Sequence, residues 1–156
     1  MKKFFAVLLA CLLVAGMFAG CGSSGSAETK AAETQAAASD AAPAVKIGLT
    51  GPMTGSASAY GLAVRGGMEI AVAEINAKGG LQIEFKSEDD EADGSDKAVS
   101  AYNSLKDWGM QIMAGPVGTA PCNVVAAECA NDKIFMLTPS GSGASIIEYG
   151  DNIFQI

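Results

Sequence analysis

The sequence predicts an α/β fold, a doubly wound parallel sheet, for the segment from Val45 to Ile156. Short apolar segments of the strand type alternate there with longer helical segments, which indicates βαβ units with helices on both faces of a parallel sheet. In addition, three loops that follow strands are rich in Gly, Ser and Thr. Because ligands bind at the carboxyl ends of the strands in such sheets, we expect a binding site in loops 51–60, 115–120 and 138–143.

The predicted strands are short and bounded by turn residues. The first ends at Gly51-Pro52, and the second alternates apolar and polar side chains, as a half-buried strand does. In chain order, the predicted strands span residues 45–50, 81–85, 111–114, 134–137 and 152–156.

Glycine and proline signals bound the predicted helices. The first helix is stopped by Gly79-Gly80, the second is closed by Gly109, and the third tolerates Pro121 in its first turn. The apolar positions of the first helix include Leu62, Met68, Ile70, Val72 and Ile75. The helices span residues 60–78, 95–108 and 119–132, and a shorter one begins at Ser142.

Residues 1–20 resemble a bacterial lipoprotein signal peptide. Two lysines precede an apolar run that is too short to span a membrane comfortably. Phe18-Ala19-Gly20-Cys21 then places small residues before a cysteine, although Phe18 stands where leucine is usual. We therefore expect lipidation at Cys21, with acyl chains that anchor the chain at the extracytoplasmic face of the bacterial cell membrane. An ordinary secretory signal with an unmodified Cys21 stays open.

Residues 21–44 are predicted to be a lipidated flexible tether, because almost no large apolar side chain is available to offset the entropy of ordering.

The chain has a formal net charge of −7, which argues against a nucleic-acid partner. It contains no histidine, the commonest general base and zinc ligand. We see no nucleophile–base pair or metal cluster, and we expect neither catalysis nor a metal or cofactor.

Two further patterns are given structural interpretations. Cys122 and Cys129 lie seven residues apart, so on one helix they share a face at a distance that a disulfide does not bridge. They are predicted to be buried thiols, with an exposed redox pair as the alternative.

Residues 89–94 imitate the start of a calcium loop, but Ser100 replaces the bidentate glutamate, so we expect a solvated acidic turn.

Thr119 and Ser142 begin predicted helices in the candidate loops. Unpaired amides and the helix dipole favour an anion there, and both hydroxyls could donate to a carboxylate. The alternative is that each is an N-cap that bonds its own helix.

Several ordered motifs resemble one family. They are KIGLTGPMTG from Lys46, Tyr60-Gly61, AEINAKGG from Ala73, GPVGT from Gly115 and TPSGS from Thr138. Together they look like the N-terminal lobe of branched-chain amino-acid-binding proteins, the extracytoplasmic solute-binding components of ABC importers, over residues 45–156.

The resemblance implies a type I periplasmic-binding-protein fold and a role in delivering a small amino acid to ABC permease subunits. Leucine, isoleucine and valine fit the resemblance, and amides, urea and aromatic acids stay open as other ligands. It implies that Thr119 and Ser142 supply hydroxyls to the ligand carboxylate, that Ser140 contributes backbone groups and that Tyr60 lines the ligand. Gly118 departs from the family, which often has serine there. A second lobe, which would meet the ligand ammonium, is expected to be absent from this chain.

Two other interpretations remain at this point. Loop 50–58 is rich in hydroxyls and follows the first strand, where a flavodoxin-like protein binds the FMN phosphate. The other is the ligand-sensing module of a receptor.

Overall fold

The computed structural model describes residues 44–156. The predicted signal peptide, the lipidation site at Cys21 and the tether lie outside these residues, apart from the last residue of the tether. The strands are β1 (Val45–Gly51), β2 (Ile83–Asp89), β3 (Ile112–Met113), β4 (Phe135–Thr138) and β5 (Ile153–Gln155). The helices are α1 (Ser58–Ala77), α2 (Asp96–Asp107), α3 (Thr119–Asp132) and a short 3₁₀ helix (Ala144–Glu148).

The five strands form one sheet in the order β2-β1-β3-β4-β5, and every neighbouring pair is parallel. The predicted α/β parallel sheet is therefore confirmed. The order reverses between β1 and β3, and in open α/β sheets a crevice forms outside the carboxyl ends of the strands at such a point. All three predicted loops lie at this edge, because each follows the carboxyl end of β1, β3 or β4.

The core lies on the face of the sheet that α2 and α3 cover. Tyr102 and Leu105 of α2 and Val125 of α3 are fully buried there, together with Met113 and Met136 of the strands. Cys122 and Cys129 are both on α3, both buried and both free thiols, so this prediction is confirmed. Burial raises the pKa of Cys122 to about 11 and that of Cys129 to about 12, which keeps both thiols protonated near neutral pH.

Helix α1 lies against β1 and β2, yet within it only Gly61 is buried. Several apolar positions from which the helix was predicted are exposed, and Ile70 is 63% accessible. The periodicity located the helix correctly. The buried apolar face that it implied is not formed by the described residues.

Strand β2 begins later and runs further than predicted. The Asn76 side chain donates to the carbonyl of Ile83 (2.9 Å) and accepts from its amide (2.8 Å). Because β2 is an edge strand, this side chain bonds the backbone of Ile83 as a further strand would. At the other end, β2 stays paired with β1 as far as the Gly51–Asp89 register. These pairings place Asp89 and Asp90 beside the loop that follows β1.

Helix formation after β4 also starts later than predicted. The 3₁₀ helix begins at Ala144, with Gly143 at its N-cap, rather than at Ser142. Ser142 therefore lies in the loop. Within residues 44–156, no helix combines the length and the apolar character needed to cross a membrane.

Candidate functional site

A cavity of about 260 Å³ opens at the carboxyl edge of the sheet, where the strand order reverses. Its lining is mostly apolar. It contains two of the four residues predicted for ligand binding, and the remaining two, Thr119 and Ser142, are absent from its lining. The lining residues are Pro52, Ala57, Tyr60, Ala92, Val117, Gly118 and Ser140.

Tyr60 stands in the first turn of α1 and is 71% exposed. The following glycine explains how the helix comes this close to the end of β1. A Cβ at Gly61 would lie 2.1 Å from the carbonyl oxygen of Pro52, a separation that side chains do not tolerate. The Tyr60-Gly61 pair therefore brings an aromatic ring to the cavity while the helix backbone packs on Pro52.

Thr119 and Ser142 are brought together by the folding of two loops. The Ser142 amide donates to the Thr119 hydroxyl oxygen at 3.3 Å. Because this hydroxyl acts there as an acceptor, its own hydrogen can be donated elsewhere, and within the described residues it donates to no other group. The pair lies on the loops that carry Gly118 and Ser140 of the cavity lining.

Neither hydroxyl caps a helix. Gly118 is the N-cap residue of α3 and Gly143 is that of the 3₁₀ helix, and no side chain bonds the backbone at either end. The capping alternative for Thr119 and Ser142 is therefore wrong. Gly143 also approaches Thr119 closely, since a Cβ there would lie 2.5 Å from the Thr119 methyl carbon.

The Ser140 hydroxyl is engaged inside the protein. It donates to the carbonyl of Val117 at 2.7 Å and so joins the loop after β4 to the loop after β3. Its side chain fixes the cavity wall rather than presenting a free donor. The expected use of Ser140 backbone groups by a ligand stays a prediction.

Thr138, which sequence reasoning missed, organises the same two loops. Its buried hydroxyl donates to the Pro116 carbonyl (2.6 Å) and accepts from the Gly141 amide (2.9 Å). The Cys122 thiol lies 3.2 Å from both the Thr138 hydroxyl and the Pro116 carbonyl. The available signal was a polar side chain at the last position of an otherwise apolar strand.

The acidic turn after β2 is not simply solvated, so that prediction was wrong for Asp90. Asp90 has no accessible surface, and burial raises the pKa of its carboxyl group. The Thr50 hydroxyl is near enough to oppose this pKa shift, but neither Thr50 Oγ1 nor Asp90 Oδ2 has a hydrogen-bond partner within residues 44–156. No group of three His, Cys, Asp or Glu side chains in these residues could hold a metal ion.

Comparisons with known proteins give a consistent result. A family model for periplasmic binding proteins matches residues 44–156. The Leu/Ile/Val-binding protein BraC3 of Rhizobium johnstonii is 32% identical over 109 residues, which cover 68% of this chain and 29% of that protein.

Two solved structures share both the fold and appreciable identity. The branched-chain amino acid transporter substrate-binding protein of Streptococcus pneumoniae, in complex with isoleucine, is 27% identical with a TM-score of 0.67, covering 72% of this chain and 33% of its own. An ABC-transporter solute-binding protein of R. palustris, in complex with benzoate, is 29% identical with a TM-score of 0.60, covering 67% and 29%. The chain thus spans about a third of the length of these relatives.

Proposed function

The chain belongs to the periplasmic binding protein family, and we therefore propose that it is an extracytoplasmic solute-binding protein that delivers a branched-chain amino acid to an ABC importer. The described residues would contribute the half of the site that holds the ligand carboxylate. The relatives are binding proteins rather than enzymes, and no catalytic step is assigned to this chain.

The observation that carries this proposal is the pairing of Thr119 with Ser142. Since the Thr119 oxygen accepts from the Ser142 amide, its hydrogen is available to a ligand acceptor. The hydroxyl stands at the first residue of α3, where free amides and the helix dipole favour a negative charge. A hydrogen bond from this hydroxyl to a carboxylate contributes about 1.5–3 kcal/mol.

Ligand chemistry among the relatives supports the same assignment. Isoleucine in one structure and benzoate in the other differ in size and shape, but both carry a carboxylate. The apolar surfaces of Pro52, Ala57 and Val117 in the cavity suit an aliphatic side chain, and the Tyr60 ring adds an apolar wall. We therefore assign the carboxylate to Thr119, Ser142 and the backbone of Ser140, and the apolar group to the Tyr60 side.

The flavodoxin-like alternative has the same strand order, so the topology does not separate it from a binding protein. The family match does separate them, and it also agrees with the relatives' role as solute-binding proteins. A receptor module has no specific observation in its favour.

We also propose that Cys21 is lipidated and that residues 21–44 tether the lobe to the membrane near the permease. The order of charged, apolar and small residues before Cys21 supports this. Cys21→Ser should release the protein from the membrane fraction of the cell. A variant that stays with the membrane as the unchanged protein does would contradict lipid anchoring.

The binding proposal is tested by titrating the ¹⁵N-labelled full chain with three matched ligands. Leucine carries both charged groups, 4-methylpentanoate keeps only the carboxylate and leucinamide keeps only the ammonium. Leucine and 4-methylpentanoate should shift the amide resonances of Gly118, Thr119 and Ser142. Their dissociation constants should be about 1 mM, which corresponds to a binding free energy of about −4 kcal/mol. Equal shifts with leucinamide, or no shift at these amides, would overturn the assignment.

A further inference from the structure

The turn after β2 forms the cavity wall at Ala92 and has an unfavourable backbone. Glu91 and Ala92 have φ values of 50° and 58°, and neither is glycine. Consecutive residues in the left-handed region persist only where surrounding contacts hold them. Two aspartates supply those contacts, and the proposed binding role does not account for either.

Asp90 holds the turn from inside. Its carboxylate accepts from the Ala92 amide at 2.9 Å, and its carbonyl accepts from the Asp93 amide at 2.8 Å. Its own amide donates to the Gly51 carbonyl at 3.1 Å, so the turn is fastened to the end of β1. Full burial of Asp90 shields these hydrogen bonds from water.

Asp89 joins this turn to the loop that leads into α1. One carboxylate oxygen accepts from the amides of Met53 (2.8 Å) and Glu91 (2.9 Å). The other oxygen accepts from the Thr54 hydroxyl at 2.6 Å. Although burial opposes ionisation of Asp89, the bonds from Thr54, Glu91 and Met53 outweigh it and hold its pKa below the ordinary value.

We propose that Asp89 and Asp90 are the positioning residues of the cavity, which lock the loop 52–57 and the turn 90–93 into one wall. Thr138 and Ser140 do the equivalent for another part of the site, where they join the loops after β3 and β4. The wall carries Pro52, Ala57 and Ala92, which face the proposed ligand. The inference rests on the proposed function only in that a ligand occupies this cavity.

The test combines a graded substitution with a measurement made without ligand. Asp89→Ala removes both carboxylate oxygens and with them all three hydrogen bonds that they accept. Asp89→Asn keeps an oxygen for the two amides, and Asp107→Asn removes an exposed acid that bonds nothing in the described residues. Hydrogen exchange is then followed at the amides of Met53, Glu91 and Ala92. The amides of Leu105 and Val125 report on opening of the whole core.

We expect Asp89→Ala to speed exchange at the three wall amides about tenfold relative to the core amides, as the loss of a charge-assisted hydrogen bond implies. Asp89→Asn should recover most of the protection at Met53 and Glu91, and Asp107→Asn should change nothing. A uniform rise in exchange rate at wall and core amides alike would show that Asp89 stabilises the fold as a whole, and it would overturn the positioning role.

The ligand arm keeps the two proposals distinguishable. In Asp89→Ala, 4-methylpentanoate should bind roughly tenfold more weakly, while the ligand still shifts the Thr119 amide. An affinity equal to that of the unchanged protein would overturn positioning and leave the proposed function intact. If the unchanged protein binds no carboxylate, the proposed function fails, and the exchange comparison still decides whether Asp89 fixes the wall.

Discussion

The two faces of the sheet are built very differently. On one face, α2 and α3 enclose a fully buried cluster that includes Tyr102, Leu105 and Val125. On the other face, α1 is the only helix among residues 44–156, and its apolar side chains, including Ile70, are largely exposed. Phe135 and Phe154 stack on each other at 5.1 Å, yet each keeps more than 40% of its surface accessible.

The polar contacts made by the helices differ between the two faces in the same way. Tyr102 and Lys106 of α2 both reach the Asp132 carboxylate at the end of α3, so a polar contact joins the two helices. The corresponding pair on the other face, Arg65 with Glu69, lies within α1 and joins it to nothing else in the described residues. We call the face covered by α2 and α3 the closed face and the face covered by α1 the open face. The closed face therefore carries the stability of the described residues. The open face contributes a helix whose apolar side chains remain accessible.

The largest effect expected from this contrast comes from one substitution made on each face. Leu105→Ala should cost about 2–5 kcal/mol of unfolding free energy, because the surrounding core cannot fill the space. Leu62→Ala removes the same atoms from a side chain that is 42% exposed and should cost about 1 kcal/mol or less. Urea denaturation measures both, and equal losses would contradict the division into a closed and an open face.

A smaller, pH-dependent effect is expected at the polar contact between α2 and α3. The Lys106 ammonium and the Tyr102 hydroxyl hold the pKa of Asp132 below its ordinary value of 3.8. A depressed folded-state pKa means that the stabilisation is complete above the ordinary value and is lost as the pH falls through the folded value. Asp132→Asn should therefore be less stable than the unchanged protein at pH 7, by about 1 kcal/mol.

This stability gap should close as the pH falls through the lowered pKa of Asp132, because the aspartate is then protonated in the unchanged protein as well. Glu69→Gln, the matched substitution on the open face, should change the unfolding free energy by about 0.5 kcal/mol or less at any pH, as exposed pairs within a helix do. A gap for Asp132→Asn that is independent of pH would show that ionisation of Asp132 does not stabilise the closed face.

The sequence predicted the order of elements well, because helical and strand periodicity are local properties. It could not predict which helix faces are covered. Leu62 and Leu105 are both leucines within predicted helices, and only the three-dimensional packing buries the second and leaves the first accessible. The start of β2 was also missed, since the Asn76 side chain bonds Ile83 across a turn.

Only part of the candidate site was predicted, because local patterns located its loops but not the long-range bonds between them. Tyr60 and Ser140 line the cavity, and Thr119 and Ser142 meet beside it, as loops at one edge of a parallel sheet should. The supporting bonds from Thr54 to Asp89 and from Thr138 to Pro116 join residues 35 and 22 positions apart. Such pairs leave no periodic signal in a single sequence.

The central claim is that Thr119 donates to a ligand carboxylate. Calorimetry with leucine tests it on the chain joined to the remainder of the Rhizobium johnstonii relative, with Ser56→Ala as the control in an exposed loop position. Thr119→Ala should bind leucine ten- to a hundredfold more weakly, which corresponds to the roughly 1.5–3 kcal/mol of a hydrogen bond to a charged group, while Ser56→Ala should bind normally. An affinity in Thr119→Ala equal to that of the control would contradict the claim.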